Sequence, residues 1–108
     1  MTTVTIYNDK SGKHKGFDVR GHAGFGTKGN DIVCAAISTL ATNTINSIET
    51  YTDLAIKYEA DMRRTRIRFV IKEEPNHDSE LLMNSMILGL SELKKNYKKY
   101  VTLKFEEV

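Results

Sequence analysis

The chain of 108 residues carries a formal net charge of +2, with 40% hydrophobic and 28% charged residues, the balance of a soluble globular protein. That length buries one core without disulfides or structural metal, and the single cysteine excludes an internal disulfide framework and fits a reducing compartment. The N-terminal MTTVTIYNDK has no apolar stretch ending in a cleavage site and no apolar run reaches membrane-span length, so a cytoplasmic protein without membrane association is expected.

Residues 2 to 8 alternate, with Val4 and Ile6 on one side and Thr3, Thr5 and Tyr7 on the other, the period of a half-buried strand. Turn formers follow at Asn8-Asp9-Lys10-Ser11-Gly12, and then Phe17 and Val19 alternate with Asp18 and Arg20. These two runs predict a β-hairpin ending near Gly21-His22. The next segment, GHAGFGTKGND, has glycines at 21, 24, 26 and 29, and so much glycine predicts a loop that is costly to order. Asp31 stands before an apolar-periodic stretch of Cys34, Ile37, Leu40, Ala41, Thr44, Ile45 and Ile48, which predicts a helix over about 32–50 with Asp31 as its N-cap.

A short strand is expected over 55–60, a turn at 61–64, and a strand over 65–72 with Ile67, Phe69 and Ile71 facing inward. Glu73-Glu74-Pro75-Asn76 breaks that pattern. Asp78 or Ser79 is expected to cap a second helix with an apolar face of Leu82, Met83, Met86, Leu90 and Leu93. Val101, Leu103 and Phe105 alternate as a last strand. Residues 1–108 therefore read as one domain of α+β class, a mixed or antiparallel sheet with two helices in the order β-β-α-β-β-α-β. Two helices leave part of such a sheet uncovered, and a homodimer is one way to cover it.

The reactive side chains gather in residues 21–38. If Asp31 caps the helix, Cys34 falls in its first turn, where free backbone N–H groups and the positive pole of the dipole stabilise a thiolate, the nucleophilic form of cysteine. His22, at the end of the second strand, would reach the sulfur if the loop folds back, taking the thiol proton and later protonating a leaving amine. The N–H groups of Val33, Cys34 or Ala35 are candidate oxyanion donors. Asp31 would hold the helix end, or orient His22, or both. Ser38, one turn beyond Cys34, would bond near the thiol or back to the Cys34 carbonyl. His14 and His77 read as solvated turn residues. No metal-ligand spacing and no phosphate-binding glycine motif is present, so neither a metal nor a cofactor is expected.

Gly21-His22-Ala23, the glycine-bearing loop to Gly29, and Asp31-Ile32-Val33-Cys34-Ala35-Ala36-Ile37-Ser38 closely resemble the signature of the ribosomal-processing cysteine protease family, Prp. The element order and chain length agree with it as well. The resemblance implies a small α+β homodimer. It also implies that a short N-terminal extension is removed from large-subunit ribosomal protein twenty-seven by a cysteine–histidine dyad. The dyad falls on Cys34 and His22, and the motif's other polar positions and first glycine on Asp31, Ser38 and Gly21. The resemblance also implies a loop that moves to admit the peptide and an apolar groove, to which Phe25 would contribute.

Two other readings use different residues. A noncatalytic ribosome-associated module that binds RNA or protein would use Arg64, Arg66 and Arg68 with Lys94, Lys95, Lys98 and Lys99. No aromatic residue is interleaved with those arginines as a base-stacking platform, so direct nucleic-acid binding is not expected. A thiol redox enzyme would need a resolving thiol that one cysteine cannot supply.

Overall fold

The computed structural model describes residues 1–21, 28–61 and 64–108, with the side chains of 28–31 outside the description. The elements are β1 (Thr2–Asn8), β2 (His14–Arg20), α1 (Lys28–Tyr51), β3 (Ile56–Asp61), β4 (Arg66–Ile71), α2 (His77–Asn96) and β5 (Val101–Glu107), in the order the sequence predicts. The strands form one five-stranded sheet, β3-β4-β2-β1-β5. The β1–β5 pair is parallel and the other three pairs are antiparallel, so the sheet is mixed.

Alternation decides which face is buried. Val4 opposes Val19, Ile6 opposes Phe17, Phe17 opposes Phe69 and Val19 opposes Ile67, so all of them share one face. That face is sealed by Val33, Ile37, Ala41, Ile45 and Ile48 of α1 and by Met83, Met86 and Leu90 of α2. At its centre the Phe17 and Phe69 rings meet with centroids 5.2 Å apart, tilted by 39°. Cover thins towards both edges. Tyr58 lies in register with Phe69 and Phe105 with Ile6, yet they remain 47% and 52% exposed.

The β1–β2 turn is closed by one carboxylate. Asp9 Oδ1 accepts from the Ser11 hydroxyl at 2.7 Å and from the amides of Ser11 and Lys13 at 2.9 and 3.0 Å. Those donors, the Ser11 hydroxyl foremost, hold the Asp9 carboxyl below its ordinary value of 3.8. Gly12 supplies the positive φ of 88° that completes the turn.

Both helices begin earlier than the sequence predicts. α2 is capped by Asn76 rather than by Asp78 or Ser79. Asn76 Oδ1 accepts from the Ser79 amide at 2.9 Å while the Ser79 hydroxyl accepts from the Asn76 amide at 3.1 Å, a reciprocal capping box. Helix α1 starts at Lys28, so Asp31 lies within its first turns and is not the cap. Nothing in Lys28-Gly29-Asn30-Asp31 forbids helical backbone, and an acidic residue suits the positive pole of a helix inside the first turn as well as at the cap.

Between β3 and β4 the chain passes through Thr65 with φ 50°. A β-branched residue in the left-handed region is an outlier that costs on the order of 1–3 kcal/mol. The flanking pairs Asp61–Arg66 and Arg20–Arg66 hold it there.

Candidate active site

Three segments meet at the C-terminal end of β2. Gly21, the residue after that strand, donates its N–H to the Thr65 carbonyl at 2.8 Å. Its α-carbon faces the Cys34 side chain of α1. A methyl group built on Gly21 would lie 2.7 Å from Thr65 Cγ2, 3.1 Å from Thr65 Cβ and 3.1 Å from Cys34 Sγ. Only a residue without a side chain lets the strand end, the β3–β4 turn and the helix approach so closely. Cys34 is half-buried, neither fully exposed nor sealed in the core.

Of the residues expected at the site, Gly21, Cys34 and Ser38 lie among those described, and Gly21 and Cys34 are brought together. His22 and Phe25 lie outside the described residues, as does the expected mobility of their loop. Asp31 is placed in helix α1, with its side chain outside the description. Ser38 is half-buried and, among the described residues, does not bond back to the Cys34 carbonyl. Its neighbour Thr39 does make such a bond, to Ala35 at 2.9 Å.

The early start of α1 changes the electrostatic argument. Only the first four N–H groups of a helix lack an intrahelical partner, and the dipole effect fades beyond the first turn. Cys34 is the seventh residue counted from Lys28, in the second turn. The N–H groups of Val33, Cys34 and Ala35 therefore go to i−4 carbonyls and are not the free oxyanion donors expected from the sequence. The helix terminus therefore does little to activate the Cys34 thiol.

Thr65 is the contributor that the sequence did not announce. It reads there as the first residue of a strand, and its role depends on a positive φ and a contact with Gly21 that no local pattern encodes.

Arginine is also gathered on the open face of the sheet. Asp18, with its side chain 6% exposed, is paired with Arg20 Nε at 2.9 Å, Arg68 Nε at 3.6 Å and Arg66 Nε at 3.8 Å. The last two contacts are ion pairs beyond hydrogen-bond distance, and among the described residues Asp18 Oδ1 and Arg66 Nε have no hydrogen-bond partner. Arg64 lies in the β3–β4 turn and pairs with Asp61 at 3.6 Å. The expected stripe of three arginines is thus a cluster of Arg20, Arg66 and Arg68 around one carboxylate.

Comparison with known proteins points the same way. The cysteine protease Prp family matches residues 1–102. The ribosomal processing cysteine protease Prp of Staphylococcus aureus is 29% identical over 98% of this chain and 100% of its own length. The crystal structure of SMU.848 from Streptococcus mutans superposes with a TM-score of 0.84 at 29% identity, covering 100% of this chain and 96% of that one. The Staphylococcus aureus ribosomal processing protease Prp in complex with a covalently linked product peptide superposes with a TM-score of 0.85 at 25% identity, covering 98% of this chain and 100% of that one.

Proposed function

From the premise that this chain belongs to the Prp family of cysteine proteases, we propose that Cys34 is its nucleophile and His22 its base, in one protease domain spanning residues 1–108. The substrate is the N-terminal extension of large-subunit ribosomal protein twenty-seven. The observation that carries this reading is the close approach of Gly21 to the half-buried Cys34, whose sulfur would lie 3.1 Å from a methyl on Gly21. His22 is the next residue in the chain after Gly21.

His22 takes the Cys34 proton as the sulfur attacks the scissile carbonyl. The tetrahedral intermediate collapses with protonation of the leaving amine by His22, which releases the C-terminal fragment and leaves a thioester on Cys34. Water, deprotonated by His22, then cleaves the thioester and frees the extension. The covalently linked product peptide of the Staphylococcus aureus relative supports such a bond. Asp31 and Ser38 flank Cys34 along α1 as supporting residues, and Phe25 contributes to an apolar subsite.

The uncovered sheet edges at Tyr58 and Phe105 support assembly as a homodimer. Residues 28–61 and 64–108, with the N-terminal 21, hold no helix long and apolar enough to cross a membrane, which is compatible with action in the cytoplasm.

Incubation with the extended ribosomal protein, followed by mass spectrometry, tests this reading. Two peptides whose masses sum to the substrate plus one water are expected. Tight binding with the substrate intact would favour a noncatalytic module, and a mass change confined to the Cys34 sulfur would favour redox chemistry.

A further inference from the structure

We propose that Thr65 is a positioning residue of this protease, fixing the end of β2 against Cys34 through its carbonyl and its methyl group. The inference rests on the assignment of Cys34 and His22 above. Thr65 grips Gly21 twice. Its carbonyl accepts the Gly21 N–H at 2.8 Å, and its Cγ2 occupies the space that a side chain on Gly21 would need. The Cys34 sulfur closes the same space from the helix side. Methyl, glycine and sulfur are therefore stacked without slack, and Gly21 is the covalent anchor of His22.

The backbone of Thr65 marks it out from an ordinary turn residue. At φ 50° glycine or asparagine would sit without strain, whereas threonine is strained. What threonine adds at that position is the methyl that faces Gly21. Strained residues gather where a site needs a fixed geometry, and small misplacements of reacting groups cost large factors in rate.

Two variants and two readouts test the proposal. Thr65→Gly removes the methyl and the strain together, so it is expected to melt at or above the wild-type temperature. Its kcat is expected to fall about ten- to hundredfold with KM nearly unchanged. Thr65→Val keeps the methyl and is expected to retain kcat within about threefold, by the near-identity of the two side-chain shapes. Hydrogen exchange at the Gly21 amide reads the positioning without substrate, and it is expected to accelerate in Thr65→Gly but not in Thr65→Val. Wild-type kcat together with unchanged Gly21 exchange in Thr65→Gly would overturn the proposal. So would equal losses of stability and activity in both variants, which would make the role merely structural. Failure of wild-type protein to cleave the substrate would overturn the protease reading instead, while the exchange measurement would still judge Thr65.

Discussion

At Gly21 the structure leaves no room for even a single methyl group. The nearest atom, Thr65 Cγ2 at 2.7 Å, belongs to a β-branched side chain whose backbone accepts the Gly21 N–H and adjoins the paired Arg66, so it has little freedom to withdraw. The Cys34 sulfur, 3.1 Å from the same point, would have to move as well. Gly21→Ala is therefore expected to destabilise the protein by about 1–3 kcal/mol, the range for overpacking, and to lower kcat at least tenfold. Urea unfolding and peptide cleavage check the two effects. The sequence marks Gly21 as the first residue of a motif and Cys34 as its lone thiol. It does not mark Thr65, whose contact with Gly21 bridges two segments far apart in the chain.

The strands were the most legible elements, because alternation repeats every second residue and a few residues suffice to set the phase. β1 spans Thr2–Asn8, as its alternation predicts, and Ile67, Phe69 and Ile71 of β4 point inward. Helix starts were less legible. The apolar period of α1 becomes visible only from Val33, after the helix has already run for more than a turn. At α2, Asn76, Asp78 and Ser79 are all competent caps by type, and only the reciprocal bonds between Asn76 and Ser79 decide among them. Asn76→Ala is expected to cost about 0.5–2 kcal/mol, measured as a lower urea midpoint at unchanged slope, and Asp78→Ala is expected to cost less. The position of the α1 start matters for chemistry as well as for boundaries, since it moves Cys34 from the first turn to the second.

Across the whole molecule, the helices cover one face of the sheet and ionic side chains organise the other. Asp18 lies on that open face, buried beneath three arginines whose side chains remain 38–62% exposed. Removing its charge would take from the three guanidiniums the carboxylate they share. Because they stay partly in water, the expected cost of Asp18→Asn is roughly 1.5–3 kcal/mol, the range for hydrogen bonds to charged groups, below that of a fully buried pair. Chemical denaturation in low and high salt checks this, with the deficit shrinking as salt screens the arginines. The sequence shows arginines at alternate positions but not that Asp18 of another strand lies among them. The parallel pairing of β1 with β5 was equally hidden, because it joins the first and last strands across the whole chain.

Whether the Cys34 sulfur performs the cleavage is read from the rate at which a folded Cys34→Ala protein processes the extended ribosomal protein beside the wild type. The variant is expected to bind the extension and leave it uncut, whereas processing at the wild-type rate would show that another group does the chemistry.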